Sequence, residues 1–151
     1  MPYRIIILAA SLLSCSGNAS SPATLADSAL RVAGAYPTAV ALVVDSCGGS
    51  VVQSMQTDVA HTAGATTLSL THAGSRYVGT VRTDGVFQTT PSALDANGFS
   101  YVVSIAGRFT TTGFDATATV DRATPATNAR CRYVASWKGT KAAGTNVIPG
   151  P

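Results

Sequence analysis

The chain has 151 residues, a formal charge of +3, and 11% charged side chains against 46% hydrophobic ones. That length suits one domain with a core of its own. The apolar residues are dispersed, and the one continuous apolar run, Ile5 to Leu13, is too short for a membrane-spanning helix of about 20 residues.

In chain order, the first feature is a secretion-type segment. Arg4 gives a basic start, Ile5 to Leu13 an apolar stretch, and small residues follow. The end of that stretch, Leu12-Leu13-Ser14-Cys15, resembles the lipobox of bacterial lipoproteins. The resemblance implies that residues 1–14 are a signal peptide cut just before Cys15, and that the Cys15 thiol carries a diacylglycerol. Ser16, rather than an aspartate, follows the cysteine. In Gram-negative lipoproteins that implies delivery to the outer membrane, facing the periplasm or the cell surface. The anchor makes a membrane the first expected partner. Buried acyl methylenes contribute about 0.8 kcal/mol each, and more than one chain gives durable attachment.

Residues 15–34 read as the lipidated cysteine and a tether. Ser16 to Ser21 is small and polar. Leu25, Ala29 and Val32 fall at helical spacing, which predicts a short helix over Thr24 to Ala33. Cysteine arithmetic bears on the same segment. Three cysteines in an exported chain leave one over. With Cys15 acylated, Cys47 and Cys131 remain as a pair that an oxidising compartment would join. The bond would close a loop of about 85 residues, worth at most about 4–5 kcal/mol. Two free buried cysteines are the other reading.

From Ala35 the period becomes two, and residues 35–140 are predicted to form the folded domain. "AVALVVDSC" and "SVVQSM" read as the first strands, turning at "GGS". In "TLSL" the inner set is Leu68 and Leu70, and in "RYVGTV" it is Tyr77, Gly79 and Val81. "TDG" at Thr83 to Gly85 is a tight hairpin turn, as is "HAGS" at His72 to Ser75. Pro91 ends the next strand, and "LDANG" at Leu94 to Gly98 reads as a loop. Three strands close the domain, with inward sets Phe99, Tyr101, Val103, Ile105, Gly107 and Phe109; then Phe114, Ala116, Ala118 and Val120; then Cys131, Tyr133, Ala135 and Trp137. The count is about eight strands. The fold class expected is all-β: an antiparallel meander closed as a small barrel or packed as a two-sheet sandwich. Gly79 and Gly107 on inward faces favour the barrel, as do cysteines near the first and last strands. The general shape resembles small lipocalin-like lipoproteins. Residues 141–151, "KAAGTNVIPGP", read as a flexible tail.

No G-x-S-x-G occurs, and the chain has no glutamate. Asp115 and Asp121 alternate outward. His61 and His72 are placed in a loop and a turn as solvent-exposed residues, too few for a metal site. No catalytic residue, metal or cofactor is therefore assigned. Arg76, Arg82, Arg108, Arg122, Arg130, Arg132 and Lys138 read as outward cations: an ordinary solvated surface, or a stripe for anionic partners. Nucleic acid is not expected, given the export signal and inward aromatics. Tyr77, Tyr101, Tyr133 and Trp137 carry the remaining possibility. In a filled barrel they are core; in a hollow one they would line a pocket for a small apolar molecule. The expected function is a membrane-anchored, non-enzymatic envelope protein that binds an apolar ligand or an envelope protein. The alternatives are a structural component with a filled core and an envelope hydrolase.

Overall fold

The computed structural model describes residues 29–127 and 129–149. The described residues form nine antiparallel strands and no helix: β1 (Gly34–Asp45), β2 (Met55–His61), β3 (Thr67–His72), β4 (Ser75–Val81), β5 (Val86–Thr89), β6 (Ser92–Ala96), β7 (Phe99–Thr110), β8 (Gly113–Thr124) and β9 (Ala129–Thr140). The sheet order is β5-β4-β3-β2-β1-β9-β8-β7-β6, and β5 also pairs with β7. That last pairing closes eight strands into a barrel and leaves β6 outside the ring. The sandwich alternative is thereby settled in favour of the barrel.

Period-two patterning explains the longest strands. Phe109 lies opposite Phe114, Ile105 opposite Ala118, Ala118 opposite Ala135, and Val120 opposite Tyr133. Phe114, Ala116, Ala118 and Val120 are buried, while Asp115 and Thr117 between them are exposed. A Cβ on Gly107 would fall on Ala116 and the Asp115 carbonyl, so only glycine permits this close approach.

Ring closure has a seam. Val86, Phe87 and Gln88 pair with Arg108, Gly107 and Ala106. Ser92 to Ala96 then pair with Val103 to Phe99 on the same edge of β7. Between them the Ile105 N–H donates to the Thr89 hydroxyl at 2.9 Å, so a side chain replaces a rung of the ladder. The chain then reaches Pro91, which has no N–H to give. β5 pairs with both β4 and β7, whereas β6 pairs with β7 alone. The barrel is thus sealed beside β5 and open beside β6.

The sealed end is filled by aromatic rings. Phe87 and Phe109 have centroids 4.8 Å apart, and Tyr36 and Phe114 5.4 Å. Polar groups beside the rings are paired. The Tyr36 hydroxyl lies 2.6 Å from both the Val32 carbonyl and Asn146 Oδ1. The single phenolic proton is shared between these two acceptors, and Lys141 Nζ also donates to Asn146 Oδ1, at 2.7 Å. Asn146 Nδ2 donates to the carbonyls of Thr110 and Gly113. Burial pushes the Tyr36 pKa up to about 12, against the lowering effect of Asn146.

Several expectations need correction. Residues 141–149 are not a loose tail: Val147 bridges Arg31, Asn146 is buried, and Ile148 packs on the core. Of the helix expected over residues 24–33, only 29–33 are described, and these are extended around the Arg31–Val147 bridge. The second strand begins at Met55 rather than Ser50. The Asp45 carboxylate accepts from the N–H groups of Cys47, Gly48 and Ser50, curling that stretch into a loop. These bonds hold its pKa below the usual carboxylate value. "LDA" belongs to β6, and the turn is Asn97-Gly98, both with positive φ as a two-residue hairpin requires. Cys47 and Cys131 form a disulfide with Cα atoms 5.0 Å apart. The signal peptide, Cys15 and the tether lie outside the described residues.

The seam can be tested by substitution. Thr89→Val removes the acceptor for the buried Ile105 N–H and should cost about 1–3 kcal/mol in urea unfolding. Thr89→Ser should retain most of that stability. Equal stability in the two variants would show that the hydroxyl does not hold the ring.

Candidate functional site: the open end of the barrel

Above the aromatic fill the inward side chains become small. Ala118 and Ala135 face each other across β8 and β9, and both are buried. The space they leave is a cavity of ≈ 550 Å³. Tyr77, Tyr101, Tyr133 and Trp137, the four aromatics singled out from the sequence, all line it. Each comes from a period-two strand, on β4, β7 and β9. Burial raises the pKa of the Tyr77 and Tyr133 hydroxyls. Tyr133 is raised further by Tyr101 and Tyr77, because the three phenols face a common space.

Two elements shape the mouth. The first is the seam. Ser75 and Tyr77 on β4 stand on one side and Leu94, Asp95 and Ala96 on β6 stand on the other, all in the cavity wall with no pairing between β4 and β6. The second is the β1–β2 loop, whose Val51, Val52 and Gln53 also line the cavity. Val51 and Val52 looked like strand residues because they are apolar. Their apolar side chains serve the mouth instead. The Cys47–Cys131 disulfide ties this loop to β9.

His72 is the residue that sequence reasoning misplaced. It is buried, not exposed, at the end of β3. Its ring stacks on Trp137 with centroids 4.2 Å apart. Its Nδ1 lies 2.8 Å from the Thr57 hydroxyl, which is 2.8 Å from the Thr38 hydroxyl, which reaches the Tyr36 carbonyl at 2.8 Å. The chain carries polar contact from the cavity wall to the sealed end through buried threonines. Desolvation lowers the His72 pKa, opposed by a hydrogen bond with the Gln53 backbone. The available signal was parity: on β3, His72 falls in register with Leu68 and Leu70. The other histidine, His61, ends β2, and its Nε2 meets the Ala65 carbonyl at 3.0 Å.

The rest of the surface is less specific. The expected cation stripe is interrupted. Arg82 and Arg108 both reach Asp84, and Arg132 forms a two-point contact with Asp121. Arg122 is not outward: it shares the inward parity of Val120, lies 4.8 Å over the Phe99 ring and donates to the Cys47 carbonyl. Among the described residues no group of three or more His, Cys, Asp or Glu side chains could hold a metal ion.

The turn between β3 and β4 carries Ala73, a cavity residue with φ of 49°. This left-handed geometry disfavours a side chain by roughly 1–2 kcal/mol. The two-residue turn requires it, and it directs the chain from His72 back to Ser75.

Burial of His72 gives stability a pH dependence. Its folded pKa lies below the ordinary value of 6.5, so the unfolded chain binds the proton first. Stability is full above that value, falls as pH drops below it, and levels beneath the folded pKa. Urea midpoints measured from about pH 7.5 down to about pH 5 should therefore decline, and His72→Gln should flatten the decline. A wild-type profile already flat over this range would contradict the buried imidazole.

In comparisons with known proteins, no family model, no curated protein and no solved structure matches this chain.

Proposed function

We propose that this chain is a lipid-anchored binding protein of the cell envelope, whose barrel takes a small, mainly apolar molecule through its open end. The cavity between Ala118, Ala135 and the four aromatics carries this reading. Its volume falls in the range of small-molecule sites, roughly 300–1,000 Å³. The wall is apolar with a few hydroxyls, which suits an apolar body bearing a polar group. The disulfide fits an oxidising compartment, and the lipobox-like Leu12-Leu13-Ser14-Cys15 supports an anchor at a membrane.

A second reading, binding of an envelope protein, is favoured by one edge of the sheet. β2 pairs with Gly34 to Thr38 only, so from Ala39 onward β1 pairs with β9 alone. Val43 and Val44 are exposed here, at 62% and 53%. An extended segment of a partner could add to such an edge.

Trp137 is the only tryptophan and lies in the cavity wall, so it reports occupancy directly. Titration with the neutral probe N-phenyl-1-naphthylamine should give saturable energy transfer from Trp137. Ala118→Phe and Ala135→Leu, which fill the space, should each weaken binding at least about ten-fold, or by about 1.4 kcal/mol. No saturable transfer, or binding unchanged in both filled variants, would remove the ligand reading.

The anchor is tested separately. In a bacterial host fed an alkyne fatty acid, the wild-type chain should be labelled and recovered with membranes, and Cys15→Ala should lose both properties. A Cys15→Ala protein that still partitions entirely with membranes would refute the anchor.

A further inference from the structure

One positive charge at the mouth points to a class of ligand, an inference that rests on reading the cavity as a binding site. Arg122 has inward parity on β8, the next inward position after Val120, which lines the cavity. That step along the strand is about 6.8 Å, so the side chain stands at the rim. Across the ladder Arg122 pairs with Tyr101 on β7, itself in the cavity wall, and with Cys131 on β9. The Phe99 ring lies 4.8 Å from its Cζ, and one terminal amino group donates to the Cys47 carbonyl at 3.3 Å. These contacts position the guanidinium without neutralising it. The ion pairs among the described residues join Arg82 and Arg108 to Asp84, and Arg132 to Asp121, and Arg122 is in none of them. A guanidinium is rich in donors, so N–H groups remain for a ligand.

The carboxylates around the mouth are committed elsewhere. Asp45 accepts from the N–H groups of Cys47, Gly48 and Ser50. Asp95 pairs with Ser100 and accepts from its hydroxyl at 2.6 Å, on the outer face, whereas its inward neighbour Leu94 faces Tyr101. The wall supplies further donors. Tyr101 and Tyr133 line the cavity, and their hydroxyls have no hydrogen-bond partner among the described residues. Phenols in such surroundings normally find one. Burial raises the Tyr133 pKa, Tyr101 and Tyr77 add to the rise, and Arg122 opposes it, so these groups act on one another across the mouth.

We propose that the cavity receives an amphiphilic carboxylate: an apolar body against Ala118, Ala135 and Val103, and at the mouth a carboxylate that accepts from the Arg122 guanidinium and from the Tyr101 and Tyr133 hydroxyls. A planar carboxylate matches the fork of a guanidinium. Its head stays at the rim, so the charge is not carried into the apolar part of the barrel. A cation would meet Arg122 as a like charge, and a neutral molecule would forgo the charge-assisted hydrogen bonds.

A matched series tests the charge. The full chain with its disulfide intact is titrated with decanoate, decanol and decyltrimethylammonium, each below its aggregation threshold, with Trp137 emission as the readout. Low salt and about pH 8 keep the carboxylate ionised and unscreened. Decanoate should bind at least about ten-fold tighter than the cation. That ratio should shrink several-fold in Arg122→Gln and on addition of salt, while Arg122→Lys, which keeps the charge, should retain most of it. Tyr133→Phe should weaken decanoate several-fold and leave the cation unchanged. Equal or tighter binding of the cation, or a ratio unchanged in Arg122→Gln, would overturn the proposal. Decanol binding without any preference between the charged pair would also overturn it, while leaving the binding site intact. Failure of all three to bind would remove the cavity reading itself.

Discussion

A short seam determines what this molecule is. Three residue pairs between β5 and β7, with the Thr89 hydroxyl as an added rung, bend the sheet back on itself. Without that closure the alternate side chains of β7, β8 and β9 would make one face of an open sheet. With it they make an interior. The seam is also where closure stops. After Pro91 the chain follows β7 alone and makes no pairing with β4, so the same few residues seal one end and open the other.

The interior is built to match. The sealed end takes Tyr36, Phe87, Phe109 and Phe114, all almost completely buried, and closes over them with Asn146 and Lys141. The open end takes alanines between tyrosines. Burial of apolar rings at about 25 cal/mol per Å² makes the first region the main source of stability, and this allows the second to be hollow. His72, Thr57 and Thr38 join the two regions by hydrogen bonds rather than by packing. A buried polar chain of this kind is costly to break, which fixes the ring of His72 against Trp137.

How much of this could be read from the residues follows from where each partner lies. β7, β8 and β9 alternate cleanly, so their inward sets emerged residue by residue. The four aromatics now found around one cavity were all identified from alternation, Tyr77 on β4 and the other three on β7 and β9. β2 and β6 were displaced because their local signals mislead. Val51 and Val52 are apolar for the sake of the mouth, and "LDANG" has turn composition although only Asn97-Gly98 turns. The C-terminal segment has no period, since its role depends on one buried asparagine that reaches Thr110, Gly113 and Tyr36. His72 was missed because a histidine beside a glycine turn looks solvated, and its partner Thr57 is 15 residues away. Contacts between strands leave no local trace in composition.

The central claim is that the upper barrel is hollow and receives a molecule. The most direct measurement is the set of intermolecular nuclear Overhauser effects from a bound apolar probe to methyl-labelled protein. Contacts from the probe to the Ala118, Ala135 and Val103 methyls, with none to the outer Val43 and Val44, are the predicted result. Contacts confined to Val43 and Val44 on the β1 edge, or none at all at saturating probe, would contradict the account.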